Sequence, residues 1–192
     1  MQTIKKLKTD LDSYIVKLPQ KTNNVYFQFL LKEGYFKEKN SLFGLKHLTE
    51  HYITRLMAED SDNKLNTSAS VGDYDTSYYL ETTKRKAQQN IAQFLQILTN
   101  PDFSKQTILN FEKKAILNEL TVKYNENKNK IWQKINESFF AGKSIYNRSR
   151  LFQIKNIKKF TLEDLEKFHK RNLRKNNLII LVGFYGPNKK LK

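Results

Sequence analysis

A single α+β domain is the fold class this sequence predicts, on three observations. Runs rich in Tyr, Val, Ile and Phe at 13–18, 24–34, 68–83 and 176–184 have the composition of strands. The stretches between them repeat apolar residues at helical spacing. No internal repeat and no flexible linker divides the 192 residues, a length that suits one core.

Each element has its own local reason. "SYIVKL" (13–18) and "NVYFQFLLKEG" (24–34) read as strands separated by the turn-like "PQKTN", with Gly34 ending the second. A helix is predicted from Ser41, as N-cap, to about Ala58, because Leu45, Leu48, Tyr52 and Leu56 fall on one face. After the polar loop "EDSDNKLNTS", the segment 68–83 reads as one strand with a bulge at Gly72. Residues 84–99 form an amphipathic helix with Ala87, Ile91, Phe94, Leu95 and Leu98 on one side, broken by "NPDFS". A long helix spans about 105–125 and resumes through Trp132 and Phe139. "FTLEDLEKFHKRN" opens on Thr161 with Asp164 three residues later, a capping-box pattern. "NNLIILVGF" closes the order β-β-α-β-α-α-α-β as a fully buried strand.

Composition excludes several chemistries. There is no cysteine, so disulfides, thiolate nucleophiles and Cys-held zinc are all ruled out, and a metal would have to sit on His and carboxylates. The N-terminal segment "MQTIKKLKTDLDSYIV" has no apolar region behind its lysines, and no apolar run approaches the ~18 residues of a membrane span. A cytoplasmic protein with no membrane segment is the expectation. The formal charge of +16 raises nucleic acid as a partner. However, the basic residues are mostly Lys, scattered from Lys5 to Lys192 among abundant Asn, whereas nucleic-acid readers concentrate Arg and aromatics on one patch. The charge therefore reads as compositional bias, and nucleic acid is not the expected partner.

Two of the three histidines stand four apart in "HLTEH". On a helix, His47 and His51 project from one face a turn apart, where one Zn²⁺ could take both imidazoles. Glu50 flanks that face, within reach of a metal-bound water. A third ligand must be carboxylate or His. His169, in the charged "EKFHKRN", reads as a solvated residue. Glu112 and Glu119 are seven apart on the long helix, hence nearly on one face, and either could reach a neighbouring helix.

"HLTEH" fits the inverted zinc pattern H-x-x-E-H. With "GLKHLTEH", "SASVGDYDTSYYLE", "PDFSKQTILNFEKKAILNE" and "FTLEDLEKFHKRNLRKNNLIILVG" in that order, the chain resembles the pitrilysin/insulinase-type metallopeptidases over nearly its whole length. The resemblance implies a mostly antiparallel sheet packed with helices, forming one zinc-binding half (1–192) of a two-domain chamber. It implies that His47, His51 and Glu119 hold zinc and that Glu50 is the general base. Glu112 falls on the family's other glutamate, which supports catalysis beside the metal. An extended peptide substrate would add to the edge strand at Ser68, Ala69 and Ser70.

The sequence departs from the family where substrate is held. The family's Asn at the start of the edge strand aligns to Ser68 and its Asp to Tyr74, and Asn66 takes the Asn role only if the strand is offset. No equivalent is present of the Arg and Tyr that the second domain supplies to the reacting carbonyl. A second related domain or subunit is therefore the expected partner, a heterodimer being favoured and a homodimer the alternative. Non-catalytic halves of such peptidases generally lose the zinc motif, and this chain keeps every element of it. A nucleic-acid-binding domain would leave "HLTEH" and the glutamate pair without a purpose.

Overall fold

The computed structural model describes residues 3–59, 65–139 and 150–185. Six strands form one sheet: β1 (Thr3–Lys6), β2 (Asp12–Lys17), β3 (Asn24–Leu31), β4 (Asn66–Val71), β5 (Thr76–Thr83) and β6 (Leu178–Phe184). Their spatial order is β1-β2-β6-β3-β5-β4, antiparallel throughout except for the parallel β2–β6 pair. Among the described residues six α-helices accompany them: α1 (Leu45–Glu59), α2 (Ala87–Thr99), α3 (Gln106–Asn125), α4 (Asn127–Phe139), α5 (Arg150–Lys159) and α6 (Leu162–Asn172). The expected mostly antiparallel α+β domain is what the chain forms. None of the described helices is long and apolar enough to cross a membrane.

Helix α1 is the axis of the core. Ile53 and Met57 face the sheet, where they join Phe27, Phe29, Tyr78 and Leu80 together with Phe94 and Leu98 of α2. Leu45, Leu48, Tyr52 and Leu56 face the other way, into Ile116 and Leu120 of α3, Ile157 of α5 and Leu165 of α6. A helix buried on two sides has only a narrow strip left for polar groups. His47, Glu50 and His51 occupy that strip.

The entry to α1 departs from the expected cap. Ser41 lies in a 3-10 turn, Asn40–Leu42, and does not begin the helix. Instead the buried Glu38 carboxylate accepts from the N–H of Gly44 (3.1 Å) and of Lys46 (2.7 Å). A carboxylate from outside the helix thus satisfies its first donors and complements the positive end of its dipole. Gly44 is at φ 99°, and a Cβ there would lie 2.7 Å from Gln153 Cγ. Only glycine suits both demands.

Three further expectations are corrected. The segment 68–83 is a hairpin of β4 and β5 turning through 72–75, and not one bulged strand. Glycine 34 explains how the turn is held: the N–H groups of Tyr35 and Phe36 donate to Gly72 and Asp73, a contact so close that a Cβ on Gly34 would lie 2.2 Å from Asp73. Strand β6 is not buried on both faces. Leu178, Ile180, Val182 and Phe184 pack into the core, whereas the neighbouring face carries the exposed Tyr26 of β3 and Tyr79 of β5. Antiparallel sheets commonly pack one face only.

The third correction is His169. It is 6% exposed, lies against the Phe103 ring, and hydrogen-bonds the backbone of Leu98 and Thr99. Its Nε2 has no partner among the described residues. Burial lowers its pKa to about 4 from an ordinary 6.5. Between those values the unfolded chain binds the extra proton, so stability is complete above pH 6.5 and declines as the pH falls toward 4. In zinc-free protein, urea unfolding at pH 7 and pH 5 should show the parent losing about 2 kcal/mol more than His169→Gln. Equal losses would mean that His169 protonates without cost.

Candidate metal centre

Two helices build the site. On α1, His47 and His51 lie one turn apart with ring centroids 4.7 Å from each other and planes at 83°. On α3, Glu112 and Glu119 are two turns apart and both face α1. The Glu119 Oε2 atom is 3.6 Å from His47 Nε2 and 3.8 Å from His51 Nε2. Glu50 Oε2 is 3.9 Å from the same His51 Nε2. The ligand atoms of His47, Glu50 and His51 all lie within 4.8 Å of one another.

These separations fit a cation. They are too long for hydrogen bonds, yet four polar groups point at one another across them. Ligands of a tetrahedral zinc at 2.0–2.1 Å stand about 3.4 Å apart. The residue types, imidazole and carboxylate, are zinc ligands. Glu119 divides its carboxylate: the other oxygen pairs with Lys123 one turn along α3.

The two imidazoles sit in different fields. Burial, and then the charge of His51, pushes His47 down to about 4, so it stands neutral with one nitrogen lone pair to offer. Burial works to lower His51 as well. The Glu112 hydrogen bond and the charges of Glu50, Glu112 and Glu119 outweigh it and raise His51 overall. Glu112 accepts from His51 Nδ1 at 2.9 Å, which leaves Nε2 as the nitrogen turned toward His47 and Glu119. Although burial opposes it, Glu112 is held below the usual carboxylate range by His51 and Arg55. Glu119 is also held low against burial, by Lys123 and the two imidazoles.

Glu50 is the odd carboxylate. It is 6% exposed, and burial raises its pKa to about 7. Thr54, a turn later, donates its hydroxyl to the Glu50 backbone oxygen at 2.8 Å and lies 3.4 Å from Oε1. A carboxyl poised near neutrality can both take and give a proton.

Ser68, Ala69 and Ser70 lie on β4, which among the described residues pairs only with β5 and so forms an edge of the sheet. Ala69 turns inward toward the core beside α1, opposite Tyr78. Tyr78 is buried and close enough to Glu50 for that charge to add to burial in raising its phenol well above the usual range. The edge strand thus runs one strand away from a residue that feels the Glu50 carboxylate. Asn66 begins β4 and reaches Glu81 of β5 at 3.5 Å.

Sequence reading did not select Glu38, Thr54, Arg55 or Lys123, all of which touch the site or its frame. Two of them had a signal: Thr54 and Lys123 each stand four residues after the residue they touch (Glu50 and Glu119), the spacing at which helical side chains meet, whereas Arg55 reaches across to Glu112 on α3. Glu38 had none, since its partners lie across an irregular turn.

No family model matches the sequence, and no curated protein matches it. Solved structures do. A protease from Helicobacter pylori superposes with a TM-score of 0.75 at 20% identity, over 99% of this chain and 48% of its own. Pitrilysin gives 0.75 at 16% identity over 100% of this chain and 22% of its own. The fold is that of a pitrilysin-type protease domain. The periplasmic protease PqqL from Escherichia coli gives 0.77 at 16% identity, over 98% of this chain and 22% of its own. The first half of PqqL, solved separately, gives the same TM-score at 15% identity, and the chain spans 43% of it. The chain thus spans less than half the length of each of these solved proteins.

Proposed function

We propose that this domain is the metal-binding half of a zinc endopeptidase that hydrolyses peptides or small unfolded polypeptides. The observation that carries the reading is the convergence of His47 Nε2, His51 Nε2 and Glu119 Oε2 beside the buried Glu50 carboxyl. His47, His51 and Glu119 would hold the zinc. When bound, zinc supplies Lewis-acid polarisation of water and of the scissile carbonyl.

The remaining roles belong to the chain itself. Glu50 is not needed as a ligand, and a neighbouring cation would favour its ionised form. Its carboxylate takes a proton from the attacking water and returns it to the leaving amine. Thr54 steadies one carboxylate oxygen. Glu112 fixes the His51 ring through Nδ1, as outer partners of metal-bound histidines do. Backbone groups along the open edge of β4, from Ser68 to Ser70, hold the substrate extended by adding it as a further strand.

The site is open on one side: the side chains of His51 and Glu119 are 26% and 32% exposed. Exclusion of water and donors aimed at the developing oxyanion must come from elsewhere, and the matched proteases continue well beyond the length of this chain. A second, related domain or subunit fits that need. A different chain suits it better than a second copy, which would bring another zinc face instead of new donors. Hydrolysis of an unstructured peptide should be zinc-dependent, lost to a chelator and restored by zinc. Adding the related half should raise it by ~10²–10³-fold, the worth of oxyanion donors. Hydrolysis indifferent to both chelator and partner would overturn the reading.

A further inference from the structure

Of the two ligand histidines, only His51 has its outer nitrogen anchored. His47 Nδ1 is buried with no hydrogen-bond partner among the described residues. The geometry at the metal face therefore depends on how firmly His51 is held, and hence on what holds Glu112. The Glu112 side chain is 5% exposed and both its carboxylate oxygens are taken. Oε2 accepts from His51 Nδ1 at 2.9 Å, and Oε1 accepts from Arg55 Nε at 2.6 Å.

Arg55 stands one turn beyond His51 on α1, so one helix face carries the ligand and the residue that fixes the ligand's partner. The Arg55 guanidinium lies 4.3 Å above the Phe111 ring of α3, next in sequence to Glu112. Phe111 sets the plane of the guanidinium, and that plane aims Nε at Oε1. Arginine suits both contacts because its planar group stacks and donates at once, which an ammonium does not. We propose that Arg55 is a positioning residue of the metal centre. Acting through Glu112, it holds His51 in the tautomer that keeps the proton on Nδ1 and turns the Nε2 lone pair toward the zinc position. The inference rests on the zinc reading for its purpose, but its physical content concerns zinc-free protein too.

Two readouts test it. The first is the ¹⁵N ring signals of His51 in zinc-free protein, recorded at a pH high enough that this ring is neutral despite the carboxylates around it. The parent should show one tautomer, protonated at Nδ1, and Arg55→Met a mixture. The second is zinc affinity by competition with a chelator. Arg55→Met should weaken it ~10–100-fold, as loss of an outer-shell partner does, with Arg55→Lys in between. In a Glu112→Gln background, Arg55→Met should add little further loss, because the link it works through is already broken.

A fold-wide structural role would instead give additive losses and leave the tautomer alone. Parent-like ring signals and affinity in Arg55→Met would overturn the proposal. Failure of the parent to take up zinc would defeat the peptidase reading, while the ring signals would still decide for or against Arg55. If Arg55→Met did not fold, Arg55→Lys would carry the same two readouts.

Discussion

His47→Ala is expected to lower zinc affinity by more than the ~10–100-fold that an outer-shell partner contributes, because under the proposed assignment it removes a ligand outright. The His47 side chain is 10% exposed and its Nε2 faces the gap shared with His51 and Glu119. Water can enter the space left behind, but a water ligand is not anchored by the fold. Glu119→Gln should weaken binding for a different reason, since the amide keeps the shape and loses the charge. It also frees Lys123, which now pairs with Glu119, to bring an uncompensated positive charge toward the site. Chelator competition and elemental analysis on both variants would measure this. One zinc per chain in the parent and near-complete loss in His47→Ala is the expected pattern. Retention of the parent affinity in both variants would remove these residues from the ligand set.

How much of this could be read without coordinates differs from element to element. The helix carrying His47 and His51 is plain in the sequence, since its apolar residues recur at helical spacing around a motif of fixed geometry. The hairpin at 68–83 was not. Gly72 resembles a bulge locally, and the turn is closed by the backbone of Tyr35 and Phe36, far away in sequence. The start of α1 was misplaced for a similar reason, because its cap is a carboxylate six and eight residues before the donors it serves. Strand β1 and helix α5 have too few patterned residues to stand out from the surrounding lysines.

The candidate site divides in the same way. His47, Glu50 and His51 follow from one short motif, and Glu119 could only be separated from Glu112 by resemblance. Spacing places both glutamates on one face, but it cannot say which lies nearer the imidazole Nε2 atoms. The structure separates them: Glu112 meets the outer nitrogen of His51, and Glu119 faces the inner nitrogens of both histidines. His169 shows the reverse failure. A charged stretch of sequence suggested solvent, but its helix lays that one position against Phe103. Composition describes the exposed face of a helix better than its buried one.

The most direct test of the central claim is Glu50→Gln, assayed for zinc content and for peptide hydrolysis in the same preparation with the partner half present. Glutamine fills the same volume and can still meet the Thr54 hydroxyl, but it cannot accept a proton. If His47, His51 and Glu119 bind the metal and Glu50 acts on water, zinc should stay at the parent level. Turnover should fall by ~10²–10⁴-fold, the usual contribution of a general base. Glu50 also lies within 4.8 Å of both histidines' ligand atoms, so the opposite outcome is physically meaningful. Loss of zinc together with activity would make Glu50 a ligand, and hydrolysis at the parent rate would show that it takes no part in the reaction.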